Sequence, residues 1–284
     1  TIKTGAFSTC KLTRVILPDG LESLSVDAFA YNSNLVHVYI PASVKSIAST
    51  SFRQDWKINF VIHKDSIFKW IDDCLINTET HTLLMGLEDA IIPADMGIKR
   101  IEQHSFEHVN IKSVDVPEGV QSVGAYAFYN CKNLTEVTLP GTLTSIENFA
   151  FQHSGITEIQ FPMNVASIQS FAFAECVNLQ NIELPETTSS LGFKVFRGCT
   201  NLTSVIINST FLTTSKPDNQ EKFDLFSECA KLSNIKVGWS STSTEMSNVN
   251  KSAPWYAGTK TEGGKRIIDV LVKYTDKDHV YYIE

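Results

Sequence analysis

The chain has 284 residues, 43% hydrophobic and 19% charged, which supplies enough apolar material for a core and excludes a disordered tail. Its 24 Lys and Arg stand against 31 Asp and Glu, a formal charge of −7, which argues against nonspecific binding to a nucleic-acid backbone. No run approaches about 18 apolar residues and no basic start leads into one, so neither a membrane span nor a signal peptide is read, and six cysteines are too sparse for a disulfide scaffold.

From its first residues the chain repeats itself. A residue before Phe recurs as Ala6-Phe7, Ala28-Phe29, Ser51-Phe52, Ser105-Phe106, Ala127-Phe128, Ala150-Phe151, Ala172-Phe173, Val195-Phe196 and Leu225-Phe226. Successive Phe positions differ by 22, 23, 54, 22, 23, 22, 23 and 30, so a period of 22 to 23 dominates, with one insertion in the third interval and a smaller one in the last. Within a unit, as in residues 128–151, a Cys follows Phe by three and a Leu by six. A Val-x-Leu-Pro segment comes next, then an aliphatic residue and an Ile. The alternation predicts a short strand buried on one face, closed by a Pro that has no N–H for a ladder. A second short extended piece, represented by Leu143 and Ile146, returns the chain to the next Phe turn. One such unit cannot bury its apolar side alone, so the units must stack, and about eleven coils at ~4.8 Å each would make a body about 50 Å long.

These residues carry a resemblance. The pattern Ala-Phe-x-x-Cys-x-x-Leu-x-x-Val-x-Leu-Pro-x-x-Val-x-x-Ile resembles the BspA-type leucine-rich repeat of bacterial surface proteins, and the likeness covers residues 1 to about 238. It implies a repeat solenoid, a right-handed leucine-rich-repeat coil with a parallel β-sheet on one face and short turns elsewhere. It also implies export to the cell surface or medium and a role in adhesion or host-protein binding.

Residues 57–92 break the period. Phe60-Val61-Ile62 reads as a strand, and Cys74-Leu75-Ile76 with Thr82-Leu83-Leu84-Met85 reads as a hairpin around Asn77-Thr78-Glu79-Thr80, inserted into one coil. The polar piece Thr210 to Lys222 predicts a surface loop. Residues 1–238 are therefore expected to form the solenoid, and 239–284 a connector and capping hairpin, with strands Arg266–Val272 and His279–Ile283 flanking Thr275 to Asp278. Ile2 precedes Phe7 by five, as Ile146 precedes Phe151, so the chain opens inside a repeat and an upstream segment carrying an anchor is expected.

Candidate chemistry is sparse. Cys10, Cys131, Cys176, Cys199 and Cys229 share one slot, where other coils carry Asn32, Asp55, Val109 and Ser154. A zinc site or disulfide would not tolerate those replacements, so free, buried thiols acting as small hydrophobes are expected. His104 and His108 have a chelating spacing, but Phe106 between them is the repeat anchor and no His-Glu-x-x-His completes a metalloprotease motif. No nucleophile elbow, Walker loop or triad spacing appears, and Glu262-Gly263-Gly264-Lys265 reads as a turn before a strand. No catalytic residue, metal or cofactor is assigned. The matches to the glycosylation acceptor at Asn133 and Asn201 are by-products of the repeat.

The informative surface is the outward side of the predicted strands, with pairs Arg14/Ile16, His37/Tyr39, Asp89/Ile91, Ser113/Asp115, Glu136/Thr138, Glu158/Gln160, Asn181/Glu183, Ser204/Ile206 and Asn234/Lys236. Asp89, Asp115, Glu136, Glu158 and Glu183 fall in consecutive coils and read either as a solvated face or as an acidic strip for a basic or polar protein. The expectation is a non-enzymatic extracellular module that binds a protein ligand through this face, such as a host extracellular-matrix or serum protein, with no nucleic acid. A glycan-binding component is the leading rival, which exposed aromatics such as Tyr39 and Trp56 would favour, and a structural spacer is the third reading.

Overall fold

In the computed structural model each repeat closes one turn of a β-solenoid. Described are residues 1–54, 57–209 and 225–237, and the strands Thr213–Thr214, Thr259–Glu262, Lys265–Ile268, Val272–Thr275 and Val280–Ile283 by backbone alone. Asp55, Trp56, most of the Thr210 to Lys222 piece, the connector at 239–258 and the Gly263-Gly264 turn lie outside the described residues. Nine Phe anchors delimit about eight turns rather than eleven, because dividing length by period also counts the insert and the terminal segment as coils.

Two columns of parallel strands run along the solenoid. The first holds the Val-x-Leu strands: Arg14–Ile16, His37–Ile40 and Asn59–Ile62 pair in register, as do Ser113–Asp115 with Glu136–Thr138, and Asn181–Leu184 with Ser204–Ile207 and Asn234–Val237. The expected second extended piece becomes a second column of two-residue strands, including Arg100–Ile101, Ser122–Val123, Ser145–Ile146, Ser167–Ile168 and Ser190–Leu191. Inward residues are apolar in both columns, so Val114, Ile182, Val123 and Ile146 are buried while their neighbours face out or stay half-buried.

The corner that carries Phe is held by backbone bonds between coils. The N–H groups of Phe106, Phe128, Phe151 and Phe173 donate to the carbonyls of Ala127, Ala150, Ala172 and Val195 at 2.7–2.9 Å. Six rings from Phe106 to Phe226 stack with centroids 4.9–5.7 Å apart and planes within 17°. All six are fully buried, and each contributes about 1.5–3 kcal/mol from apolar area.

The insert departs from the expected hairpin by one strand. Phe68–Ile71, Cys74–Asn77 and Thr82–Gly86 form an antiparallel meander, and its last strand pairs in parallel with Arg100–Ile101, joining the second column. Phe-Lys-Trp-Ile alternates over only four residues, too short a signal to separate from the surrounding loop. Asn77 Oδ1 accepts the N–H groups of Glu79 and Thr80 at 3.0 and 3.1 Å, which sets the tight turn after the second strand. The meander is a partition. Cys74, Ile76 and Leu83 pack into the core of the later coils, whereas Phe68, Leu75, Leu84 and Met85 pack into the core of the first three.

At the far end the backbone shows two hairpins rather than one. Thr259–Glu262 pairs antiparallel with Lys265–Ile268, and Val272–Thr275 with Val280–Ile283; Val272–Thr275 also joins Asn234–Val237 in parallel. Among the described residues no helix is long and apolar enough to cross a membrane.

Candidate binding face

Outward residues of the first column form two rows, four and two positions before the repeat Pro. In register, Arg14, His37 and Asn59 share the first row, and Ile16, Tyr39 and Val61 the second. Ser113 aligns with Glu136, and Asp115 with Thr138. Asn181 aligns with Ser204, and Glu183 with Ile206. The carboxylates therefore do not make one strip. Asp89, Glu136 and Glu158 occupy the first row by their spacing from Pro, while Asp115 and Glu183 occupy the second. All five are exposed, and Glu183 accepts a hydrogen bond from Asn208 Nδ2 at 2.9 Å. Residues 157–160 are not an assigned strand, yet Glu158 and Gln160 face out on either side of buried Ile159.

The second row begins apolar. Ile16 is 61% exposed and Val61 55%, with half-buried Tyr39 between them, and a groove of about 370 Å³ lies over these strands. Ile91 takes the same slot in the next coil and is 70% exposed. There the partition touches the face: the carbonyls of Asp72 and Asp73 accept the N–H groups of Ile91 and Leu87, each at 3.1 Å.

The cysteine slot has a cause that spacing alone did not reveal. The thiols of Cys131, Cys176, Cys199 and Cys229 donate to the carbonyls of Phe106, Phe151, Phe173 and Phe196 in the preceding coil, at 3.0–3.2 Å. Asn32 Nδ2 does the same for Phe7 at 2.9 Å. In these five coils the slot supplies a small donor for a buried carbonyl, whereas Val109 fills it in the Phe106 coil without one. Desolvation pushes the thiols of Cys131 and Cys176 up to about 12. Cys10 corrects the expectation of uniformly buried thiols: no earlier coil covers it in the described chain, and it is exposed.

Sequence reading missed an aromatic ladder. His104, Tyr126, Phe149 and Phe171 lie two residues before successive Phe anchors and stack at 4.7–5.0 Å, with Phe193 edge-on at 5.6 Å. Their recurrence every 22 or 23 residues was the available signal. The first four have φ near +60°, which costs about 1–2 kcal/mol per residue, and each stacked pair returns about 0.5–1.5 kcal/mol. Ring faces inside the ladder cover one another, and Lys194 Nζ sits 4.8 Å from the Phe193 centroid.

His104 and His108 do not form a chelate. They flank Glu107, with His104 Nδ1 at 3.0 Å and His108 Nε2 at 3.8 Å from its carboxylate. Arg53 of the preceding coil reaches the same carboxylate at 3.1 Å, across the seam where the insert interrupts the array. Burial alone would raise the Glu107 carboxyl, but the hydrogen bond and charge of His104 and the charge of Arg53 hold it below its ordinary value. Among the described residues no three His, Cys, Asp or Glu side chains gather into a metal-binding group.

Comparison with known proteins matches residues 1–84 and 99–220 to the family model for the BspA type leucine rich repeat region, in six copies. Among solved structures, the chain is similar to a leucine-rich cell surface protein from Faecalibacterium prausnitzii A2-165 at 23% identity and TM-score 0.56, covering 88% of this chain and 65% of that one. A leucine-rich repeat protein from Bacteroides ovatus ATCC 8483 is similar at 22% identity and TM-score 0.51, covering 93% and 71%. The pneumococcal vaccine antigen PcpA is similar at 18% identity and TM-score 0.62, covering 87% and 67%. At these identities the likeness is one of fold. No curated protein matches the sequence.

Proposed function

The chain belongs to the BspA-type leucine-rich repeat family, and from that premise we propose that it is a non-enzymatic cell-surface or secreted module that binds a protein ligand through its strand face. The observation that carries this reading is the pair of outward rows, whose side chains lie outside the core and present five carboxylates over successive coils. Surface location is supported by the Faecalibacterium neighbour, described as a cell surface protein. Recognition spread over many coils relies on shape and charge complementarity and needs no reactive pocket.

A glycan reading would want open aromatic faces. Within the ladder the stacked faces are spent on neighbouring rings, and among the described residues of the strand face Tyr39 lies between the aliphatic Ile16 and Val61. The protein reading is tested with a basic partner once one is found. Glu136, Glu158 and Glu183 all changed to Gln should alter folding by at most about 1 kcal/mol, since exposed charges contribute little. The on-rate should fall in that variant, and in the wild type as salt rises from about 50 to about 300 mM, shortening the Debye length from roughly 14 to 6 Å. An on-rate indifferent to both moves the site off this face.

A further inference from the structure

The strand face is divided along the solenoid into two chemistries. In the row two before Pro, Ile16, Tyr39 and Val61 stand in register, and Ile91 fills that slot in the coil after the partition. The corresponding residues further on are Asp115, Thr138, Gln160 and Glu183, and beyond them the row ends on Ile206 and Lys236. Every coil folds with the same inward pattern, so the solenoid does not require aliphatic side chains here; polar residues serve equally well in the later coils. Ile16 and Val61, left 61% and 55% exposed on either side of half-buried Tyr39 over one groove, form the kind of patch that marks a contact surface. From Asp89 to Ile206 the two rows carry five carboxylates and no Lys or Arg.

We propose, building on the strand-face reading above, that this face takes an extended polypeptide segment with an apolar stretch followed by Lys or Arg residues. The apolar stretch seats on Ile16, Tyr39, Val61 and Ile91. The basic residues meet Asp115, Glu136, Glu158 and Glu183 in the coils beyond the partition. Charge complementarity and the aliphatic chemistry together select this occupant. A single half-buried ring, Tyr39, among aliphatic side chains suits apolar side chains of a protein better than a sugar ring, and carboxylate rows that hold no Lys or Arg of their own, with Lys112 only at the edge of the groove by Asp89, favour a basic segment.

The experiment is selection of random peptides displayed on phage against the full chain, followed by affinity measurement of the enriched peptides on wild type and two variants. One variant is Ile16→Ser with Val61→Ser; the other is Glu136→Gln, Glu158→Gln and Glu183→Gln. Thermal unfolding and circular dichroism first establish that both variants keep the wild-type fold, as substitution of exposed side chains predicts. Enriched peptides should contain an apolar cluster followed by basic residues. Their affinity should fall about tenfold or more on the aliphatic variant, the equivalent of one withdrawn aliphatic contact, and lose most of its salt dependence on the acidic variant, which keeps only Asp115 of the proposed contacts. Peptides that weaken on the acidic variant and bind the aliphatic variant as tightly as wild type overturn the two-part occupant but leave the strand-face reading standing. Peptides indifferent to both variants, or no enrichment at all, overturn both.

Discussion

Gly86 is where the partition meets the stack of Phe rings, and replacing it with Ala is a sharp test of the two-core arrangement. A Cβ built there falls onto the Phe106 ring, with two ring carbons deep inside contact distance and a third at 2.9 Å. The ring cannot retreat. It is fully buried and lies against Phe128 at 4.9 Å with planes 10° apart. The glycine backbone is tied as well, since its N–H donates to the Ser105 carbonyl at 2.9 Å. Gly86 lies outside the left-handed region, so the penalty is purely one of space. One forced methyl in a packed core costs about 1–3 kcal/mol, and the rigidity on both sides places this site at the upper end. Urea unfolding followed by circular dichroism gives the loss, and hydrogen exchange should show it concentrated in the partition and the Phe106 coil. A double-mutant cycle with Phe106→Leu isolates the contact, because shortening the ring should recover about 1 kcal/mol or more of the Ala penalty. A loss under about 0.5 kcal/mol, or no coupling to Phe106, would refute the packing described at the seam.

Phe128→Ala removes a ring stacked on both sides and should cost about 3–5 kcal/mol by denaturant unfolding; a loss below about 1 kcal/mol would sink the repeat alignment. At pH 8 a thiol reagent should modify Cys10 alone, because Cys74, Cys131 and Cys176 are buried and held protonated by values pushed up to about 12, and Cys199 and Cys229 are buried beside them. All six should react after unfolding without reductant, and a missing thiol would reveal a disulfide. Glu107→Gln should cost about 1–3 kcal/mol at neutral pH. Because the folded carboxyl titrates below its ordinary 4.5, its contribution is present above that value and lost as pH falls through the folded one, so the stability gap to wild type should close in acid. A gap constant down to pH 3 would remove the ionised Glu107 from the account of the seam.

The anchors were legible in sequence because a residue facing the axis of a stack must recur with the period of the stack. Phe128, Leu134, Val137 and Ile146 announce their positions that way. Chemistry between coils was less visible. The partner of Cys176 Sγ is a carbonyl 25 residues back, and backbone groups leave no trace in composition. The partition strand Phe68–Ile71 escaped because it occurs once and is four residues long. Only Phe68 of it is buried and Trp70 packs on the same core, so it offers a single in-facing pair rather than a readable alternation. The division of the carboxylates between two rows could have been read from their distance to Pro, which is two for Asp115 and Glu183 and four for Asp89, Glu136 and Glu158.

The fold leaves few positions at which such a chain can acquire specificity. Inward strand residues are held by the core, the slot three after Phe by burial and in most coils by a bond to a carbonyl of the preceding coil, and the corner before Phe by left-handed backbone and stacking. Substitution at any of these carries a stability penalty before it alters a surface. The two outward rows are under no such demand, as the exchange of Ile16, Tyr39 and Val61 for Asp115, Thr138 and Glu183 at one slot demonstrates. Stability does not explain why the row is aliphatic at Ile16, Val61 and Ile91, polar from Asp115 to Glu183 and aliphatic again at Ile206, since exposed substitutions shift it by only about 0.5 kcal/mol. A row free of folding constraint that changes chemistry along the axis is where the proposed recognition would draw its specificity. The partition sharpens the division by placing the Asp72-Asp73 turn beside Ile91, where the apolar slot ends and the carboxylates begin.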